Sequence, residues 1–484
     1  MEKTYLSIQT TLIVTLIVGV FFVALGYINS RKTPDNNKSH IVGDRNEGIF
    51  SLTTSLSASA LGAWILFGPA SAATWGGIGA VLGYALGTAA PMLFLLNFGP
   101  KIRKEFPNGM SLTEFVKKRF GLGILKIILF LILFYLTIFL IAEVTAIAFL
   151  LNLISRTPLW ATAGLTLIIC LLYILKGGFK LSIITDKYQF IIIALMIVLS
   201  LSLTLGNMEV NSFKLIKEKS PILLSKNYIP NYTAGFTFFM AVAATNLFHQ
   251  GNWQRVFAAK NNFILKKSLI YSAIITFLIV LWMGYSGLIA FSLDSKINPD
   301  LAFFYLILSN ENFLIIISIL VLALALTLST IDTLINAITS LIIIDGKKIS
   351  KSLNGKKIKE KANKLILFLS AVVLIFASKG FSILYLFLLA DLLCCAAVVT
   401  VFYGFINKKI NLRLASFSIL FGLIFGLLFF PDQSFQSSLL VGNILSKEIF
   451  SEFISSNLLF ISFALSLIAP LLIITIYSFR SSFK

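Results

Sequence analysis

Apolar residues occur along this chain in long runs that are separated by short polar segments. About 13 of these runs have the roughly 17–25 residues that a helix needs to cross a bilayer. Their approximate limits are 8–28, 50–73, 76–98, 123–153, 158–175, 183–205, 232–249, 267–292, 313–344, 364–378, 381–406, 413–430 and 456–478. The pattern therefore predicts an all-α integral membrane protein.

The arrangement of the spans predicts one membrane domain over residues 1–484 with internal symmetry. An extra N-terminal helix (1–30) is followed by five spans in 50–205, five spans in 232–406, and two C-terminal helices in 407–484. An odd number of spans in each five-helix unit makes the second unit enter the membrane from the opposite side. Spans 2–6 and 7–11 therefore predict an inverted repeat of five plus five helices.

Composition agrees with a membrane protein, and the charges predict its orientation. Hydrophobic residues make up 58% of the 484 residues, against about 45–50% in soluble proteins. The net charge is +20, and 29 of the 40 Lys and Arg residues fall in alternate loops. This bias predicts a multi-pass protein of the cell (inner or plasma) membrane with the N-terminus outside and the C-terminus in the cytoplasm. The expected macromolecular partner is the lipid bilayer and not nucleic acid.

Small residues at 79–83 provide a close-packing helix face, with Gly79 and Gly83 one turn apart. Such a face serves packing within one chain or association of two chains equally well. The sequence therefore leaves a monomer and a weak homo-oligomer open.

The second span is interrupted by glycine, serine and proline between Ser57 and Ser71. Irregular backbone in the hydrocarbon region is tolerated only where it is buried in protein or lines a cavity, so such a span indicates a binding site. The break could supply the carbonyls of Ala58 and Leu61 to a cation that prefers hard oxygen ligands.

Span 9 places Leu326, Ser329 and Thr330 on one helical face. Its two hydroxyls could complete a cation site beside span 2. Alternatively, they bond back to carbonyls of their own helix, as membrane Ser and Thr residues commonly do.

Four carboxylates fall within or at the edge of predicted spans, and intramembrane acids are functional-site hypotheses by default. Glu143 and Asp391 are expected to face the interior of the bundle, as site residues or as hydrogen-bonded structural acids. Asp186 and Asp332 lie toward the cytoplasmic ends of their spans. An ion-release path and a helix-capping role are both open for this second pair.

Span 7 ends at His249 and Gln250, which could reach a polar solute from the end of a broken helix. Trp253 and Arg255 follow and are expected to anchor the chain at the headgroup level. Trp64 and Phe67 are candidate lids over the solute, with ordinary packing as the alternative. A phosphate-binding loop, a paired-histidine zinc motif and a nucleophile elbow are absent from the sequence, which disfavours an ATP-driven pump and most enzymes.

Several segments in this order resemble the sodium:solute symporter family. They are Ser57–Trp64, Gly177–Phe179, Thr185–Gln189, Gln250 with Gln254–Lys260, and Ser329–Thr333. The resemblance implies a LeuT-type fold and Na⁺ as the coupling ion. It implies a sodium site formed by the carbonyls of Ala58, Leu61 and Leu326 and the hydroxyls of Ser329 and Thr330.

The resemblance also implies roles for other residues. Asp186 matches a family acid that is associated with sodium movement toward the cytoplasm, and His249, Gln250 and Asp391 match solute-contacting or cavity-lining positions. Ala60 stands where the proline carriers of the family have an acid. Ile65 stands where its sugar carriers have a polar residue. The run from Trp253 to Arg255 is most similar to the urea-transporting branch.

The sequence thus predicts sodium-coupled symport of a small polar solute into the cell by alternating access. The expected solute is an amino acid, urea, a carboxylate or a similar molecule. One alternative is proton-coupled transport that uses Glu143. This residue has no assigned counterpart in the family. Another, from a different class, is a membrane enzyme that uses His249 and Asp391.

Overall fold

The computed structural model describes residues 4–30, 41–206, 211–308, 312–349, 355–407, 410–442 and 452–482. Within these ranges the chain forms sixteen α-helices, joined in places by short 3₁₀ turns. The helices are α1 (Ile8–Ser30), α2 (Ile49–Ala60), α3 (Gly68–Glu105), α4 (Leu112–Ser155), α5 (Leu159–Gly206), α6 (Ser212–Lys219), α7 (Ile229–Phe248), α8 (Gln250–Ala258), α9 (Asn262–Leu293), α10 (Ala302–Leu308), α11 (Phe313–Ile349), α12 (Gly355–Ala377), α13 (Ile383–Tyr403), α14 (Leu412–Phe429), α15 (Glu452–Ser456) and α16 (Leu458–Ser482). The all-α prediction is therefore confirmed.

Nine helices or helix segments of the described chain are long and apolar enough to cross a membrane. The other predicted spans are also helical, but they are broken, shorter or more polar. Span 50–73 is divided between α2 and the start of α3, and span 158–175 is the short first segment of α5. Spans 232–249 and 364–378 lie in α7 and α12, which carry more polar residues.

Three long helices are each interrupted at a glycine with positive φ. Gly77 (φ 58°) divides α3, Gly121 (φ 83°) divides α4 and Gly178 (φ 58°) divides α5. Only glycine adopts this region without the strain that a Cβ atom causes. Gly77 lies near the start of the predicted span 76–98, and Gly178 lies between the predicted spans 158–175 and 183–205, so α3 and α5 each contain parts of two predicted spans. Gly121 instead separates the predicted span 123–153 from the helical turns that precede it.

The small-residue face of α3 packs inside the molecule. A Cβ atom on Gly79 would lie 1.6 Å from the backbone oxygen of Asn231, and one on Gly83 would lie 2.1 Å from that of Gly235. Both partners belong to α7, so α3 and α7 approach almost backbone to backbone. This close contact fixes α7 beside α3 and uses the glycine face within one chain.

The terminal helices cover the outside of this core. Helix α1 packs mainly against α5, where Gly19 faces Ile169 and Gly26 faces Tyr173. Helices α14 and α16 pack against each other and against α13. The two broken units, α2–α3 and α7–α8, lie between these layers. Each is the first part of one of the two predicted five-helix repeats.

Candidate functional site

The first break separates α2 from α3 and is wholly buried. Helix α2 ends at Ala60, Leu61 and Gly62 have non-helical backbone angles, and a 3₁₀ turn covers Ala63–Leu66. Helix α3 then begins at Gly68. Proline at position 69 favours this start because its φ is already helical and the first helical N–H groups have no intrahelical partner.

The second break separates α7 from α8 at His249, whose backbone is extended (φ −63°, ψ 109°). The last turn of α7 leaves carbonyls without helical partners, and side chains of α8 satisfy two of them. The amide of Asn252 donates to the carbonyl of Asn246 (2.9 Å), and the indole of Trp253 donates to that of Leu247 (2.8 Å). Side chains of α8 therefore satisfy two of the carbonyls that the break exposes.

The structure corrects the expected position of Trp253 and Arg255. Both are completely buried, so neither anchors the chain at the headgroup level. An apolar ring and a cation within one short helix resemble an interfacial anchor in sequence. Only the packing of α8 into the bundle separates the two interpretations.

Arg255 forms a buried ion pair with Asp186, with 2.8 Å between Nη2 and Oδ2. Arg255 Nε also donates to the Ser55 hydroxyl (2.8 Å), and that hydroxyl donates to Asp186 Oδ2 (2.5 Å). The hydroxyl of Ser329 donates to the other carboxylate oxygen of Asp186 (2.7 Å), and Arg255 reaches Thr333 at 3.2 Å. This cluster joins α2, α5, α8 and α11. We call it the Asp186–Arg255 network.

The five sodium-candidate residues lie in α2, in the break that follows it, and in α11, which pack against each other. Ala58, Leu61, Leu326, Ser329 and Thr330 are all at most 1% exposed. Thr330 donates to the carbonyl of Leu326 (3.1 Å), which is the back-bonded geometry that the sequence left open. A hydroxyl that donates in this way still has oxygen lone pairs for a cation.

Both helices also carry buried hydroxyls with no hydrogen-bond partner in the described part of the chain. On α2 these are Thr53 and Ser57, and on α11 it is Thr327. Buried polar atoms are normally satisfied, so each exception calls for an explanation. A site of carbonyl and hydroxyl oxygens with unused acceptor capacity fits a hard monovalent cation.

Asp332 lies one turn beyond the sodium-candidate hydroxyls and is completely buried. Ser182 and Tyr173 donate to its two carboxylate oxygens at 2.7 and 2.8 Å, and Thr185 lies at 3.3 Å. All three hydroxyls belong to α5. Asp332 and Asp186 therefore connect α11 to the same helix, on the path predicted for the ion.

A small central cavity lies between the two breaks. Its lining includes Trp64, Tyr84, Phe139, His249, Phe387 and Asp391. Asp391 is 6% exposed, and the hydroxyl of Thr245 donates to its Oδ1 (2.6 Å). The cavity has a volume of about 30 Å³, which is room for about one water molecule. A solute can therefore enter only when the surrounding side chains separate.

Three of the six predicted solute-contacting residues line this cavity: Trp64, His249 and Asp391. Phe67 packs against Phe149 and Phe304, and Gln250 donates to the carbonyl of Met110 (2.9 Å). These two, with Glu143, lie away from the cavity.

The rings of Tyr84, Phe139 and Phe387 line the cavity but were not singled out in the sequence. They come from α3, α4 and α13, which are distant in the chain. The sequence contains 45 Phe and 14 Tyr residues, so no local signal separates these three from core residues.

Glu143 lies behind the first break, completely buried. Its Oε2 accepts the backbone N–H of Ala63 (2.8 Å), and its carboxylate lies so close to Gly62 that a Cβ atom there would be 2.2 Å from Oε1. Oε1 has no hydrogen-bond partner among the described groups. Glu143 therefore holds the unwound segment in place while one of its oxygens stays unsatisfied.

Comparison with known proteins identifies related sequences and folds. The profile of the Sodium:solute symporter family matches residues 40–422. A spermidine transporter of Candida albicans is 25% identical over 387 residues, which are 79% of this chain and 72% of that relative. The expected similarity to the urea-transporting branch is not supported, because the matching relative is a spermidine transporter.

Two solved structures share the fold at low sequence identity. A Na⁺-coupled sialic acid symporter in a substrate-bound outward-open state superimposes with a TM-score of 0.71 at 18% identity, over 95% of this chain and 98% of that chain. Mhp1, a nucleobase-cation-symport-1 family transporter in a closed conformation, gives 0.58 at 16% identity, over 91% and 93%. The LeuT-type fold implied by the resemblance is thereby confirmed.

Proposed function

Because the chain belongs to the sodium:solute symporter family, we propose that it is a sodium-coupled symporter that carries a small organic cation into the cell by alternating access. Membership of a transporter family removes the membrane-enzyme alternative. The coupling ion and the class of solute are the parts of the proposal that require support from the site.

The support for sodium is the donor set between α2 and α11. The carbonyls of Ala58, Leu61 and Leu326 and the hydroxyls of Ser329 and Thr330 are buried oxygens on two elements that pack together. A cation bound there would hold the broken unit against α11. At −100 mV each sodium ion that enters contributes about 2.3 kcal/mol from the membrane potential alone. Because coupling is reciprocal, the solute must favour the same state as sodium.

Asp391 is the observation that supports a cationic solute. Among the described residues, no Lys, Arg or His lies within salt-bridge distance of its buried carboxylate. An unpaired buried charge is costly, and a cation from outside would offset that cost.

Aromatic rings on the walls of the same cavity fit this chemistry. Trp64, Tyr84, Phe139 and Phe387 face it, with 4.7 Å between the ring centroids of Phe139 and Phe387. Ammonium groups bind favourably over aromatic faces, by about 0.5–2 kcal/mol. The relative that transports spermidine, a polyamine, supports the same class of solute.

The test is uptake into proteoliposomes under an inward sodium gradient, with potassium as the matched control cation. The solutes are spermidine, 1,4-diaminobutane, urea and sialic acid. We expect sodium-dependent uptake of an amine, and its loss in Asp391→Asn but not in Asp294→Asn, which removes a carboxylate from a loop outside the cavity. Uptake confined to urea or sialic acid would refute the cationic class, and uptake that is equal in potassium would refute sodium coupling.

Proton coupling through Glu143 is the second candidate, and the observation that favours it is the unsatisfied Oε1. A proton on this oxygen would remove the cost of a buried charge. The same assay separates the two candidates. Uptake driven by a proton gradient without sodium, and lost in Glu143→Gln, would support proton coupling. Sodium-dependent uptake that survives Glu143→Gln would exclude it.

A further inference from the structure

Helix α9 carries an apolar stripe on the outer surface of the bundle, and the stripe ends in lysines. Its large side chains share one helical face and are between 38% and 64% exposed: Phe263, Ile270, Tyr271, Ile274 and Leu278. Lys266 and Lys267 lie on the same face and are also exposed. Both belong to the first two turns of α9, which is long and apolar enough to cross a membrane. The charged end of the stripe therefore lies where the helix enters the membrane.

The opposite face of α9 packs into the bundle, which fixes the direction of this stripe. Ser268 donates to the carbonyl of Ile49 (3.2 Å), and Ser272 donates to that of Thr53 (3.1 Å). Both carbonyls belong to α2, the first helix of the first broken unit. The stripe therefore points away from the protein, toward lipid, while the helix that carries it contacts a broken unit directly.

Three exposed lysines at this end of α9 have no acidic partner. Lys260, Lys266 and Lys267 form no ion pair among the described residues. The chain contains no Asp or Glu in residues 256–293. The carbonyl of Glu47 accepts the backbone N–H of Lys260 (3.1 Å), but the carboxylate of Glu47 accepts a hydroxyl at the start of α2. Three positive charges are therefore left without compensation by the protein.

Other lysines of the described chain are neutralised within the protein. Three of them have a carboxylate oxygen within 3.0 Å of Nζ: Lys118 with Glu105, Lys180 with Asp44, and Lys348 with Asp345. Positive charge alone does not distinguish the start of α9. Its distinguishing feature is the combination of unpaired lysines with an apolar stripe that faces lipid.

Phe263 places an aromatic ring beside these charges. Its ring is 64% exposed, and Nζ of Lys267 lies 5.9 Å from the ring centroid. Aromatic rings and lysines are typical of the headgroup level, where the lysine stem lies along apolar surface and the ammonium group reaches polar headgroups. The distribution of charge predicts that this end of α9 is cytoplasmic, and the cytoplasmic leaflet carries the anionic lipids. An anionic phospholipid therefore complements both the lysines and the stripe.

We propose that this end of α9 is a binding site for an anionic phospholipid. The phosphate contacts Lys260, Lys266 and Lys267, and an acyl chain lies along Ile270 and Ile274. Because α9 follows α8 in the chain and packs against α2, the bound lipid holds α9 against both broken units. Lipid binding here depends on neither the solute nor the coupling ion, so its failure would leave the proposed transport function untouched.

The first test is thermal unfolding of the purified protein in a neutral detergent with added dioleoyl phosphatidylglycerol. Dioleoyl phosphatidylcholine, which has no net charge, and glycerol 1-phosphate, which has no acyl chains, are the matched ligands. Binding to the native state raises apparent stability, so we expect phosphatidylglycerol to raise Tm and the other two to leave it unchanged. Equal stabilisation by the two phospholipids would overturn the proposal. Equal stabilisation by glycerol 1-phosphate would also overturn it, because the site would then bind a soluble anion.

Variants of the exposed lysines locate the site in the same assay. In Lys266→Gln/Lys267→Gln we expect the phosphatidylglycerol concentration for half-maximal stabilisation to rise at least about tenfold, since two cations near an anionic headgroup are lost. Lys266→Arg/Lys267→Arg retains both charges and should remain close to the wild type. Lys226→Gln/Lys296→Gln removes two exposed lysines from loops away from α9 and should change nothing. An equal loss in this control, or no loss in Lys266→Gln/Lys267→Gln, would refute the site.

The second test uses an indole as a reporter in the bilayer. Phe263→Trp adds an indole at the lysine end of the stripe, and Phe313→Trp adds one at an exposed position on α11 as the control. Each variant is reconstituted in phosphatidylcholine vesicles that contain the same fraction of brominated phosphatidylglycerol or brominated phosphatidylcholine, and the wild-type fluorescence is subtracted. We expect brominated phosphatidylglycerol to quench the indole at position 263 more strongly than brominated phosphatidylcholine does, and the two lipids to quench equally at position 313. Equal quenching by the two lipids at position 263 would contradict enrichment of the anionic lipid there.

Discussion

At the scale of single residues, two threonines on α11 show how a site differs from a common packing contact. Thr330 and Thr339 are both buried, and both donate to the carbonyl four residues earlier, Leu326 and Ile335. Their local geometry is therefore the same. Thr330, however, follows Ser329, which bonds to Asp186, and it lies where α11 packs against the first break.

We predict that Thr330→Ala raises the sodium concentration for half-maximal uptake by at least about tenfold, since it removes one oxygen ligand. Thr330→Ser retains the oxygen and should remain close to the wild type. Thr339→Ala is the matched control because it deletes the same back-bonded hydroxyl away from the break. The measurement is amine uptake at varied sodium concentration, and an equal effect of Thr330→Ala and Thr339→Ala would contradict the sodium site.

At the scale of helices, the Asp186–Arg255 network explains how a nine-residue helix is held inside a membrane protein. Helix α8 (Gln250–Ala258) is too short to cross a bilayer and carries a cation. Arg255 brings that charge against α2, α5 and α11 at once. The ion pair therefore determines where the second broken unit docks.

We predict that Asp186→Asn and Arg255→Gln each lower the free energy of unfolding by about 3–5 kcal/mol, because each leaves one buried charge without its partner. The double variant should cost less than the sum of the two, since it leaves neither charge. Thermal unfolding of the purified variants measures this coupling. Lys118→Gln removes one side of an exposed pair with Glu105 and should change stability by less than about 1 kcal/mol. Additive effects of Asp186→Asn and Arg255→Gln would contradict the role of the ion pair.

At the scale of the whole molecule, the orientation in the membrane decides which end of the helix bundle faces the outside. A cavity lined by Trp75, Asp300 and Phe435 lies beside the first turns of α7, and the segments rich in Lys and Arg follow α3 and precede α12. If those basic segments are cytoplasmic, this cavity opens to the outside and an inward sodium gradient drives uptake.

We predict that a cysteine placed at Asn227 reacts with a membrane-impermeant maleimide in intact cells, whereas one placed at Asn108 reacts only after the membrane is permeabilised. Both positions are exposed asparagines in short loops at opposite ends of the molecule. The native cysteines, Cys170, Cys394 and Cys395, are buried and provide a low background. The reverse labelling pattern would place the N-terminus inside.

The sequence by itself was sufficient for the helical class, for the positions of nine of the thirteen predicted spans and for the first break. Each of these depends on local properties: apolar run length, and glycine, serine and proline within a span. Gly178 lies between the predicted spans 158–175 and 183–205, and its positive φ is a requirement of the backbone at that residue alone. The family resemblance, carried by short local motifs, is confirmed by the profile match.

Only the tertiary structure decided which side chains share a cavity and which charges are paired. Trp253 and Arg255 have the composition of an interfacial anchor, yet α8 turns them into the bundle. The rings of Tyr84 and Phe387 line the cavity with Asp391 because α3 and α13 converge there. Burial of a charge or a ring depends on contacts between helices that are far apart in the chain, and local pattern carries no record of those contacts.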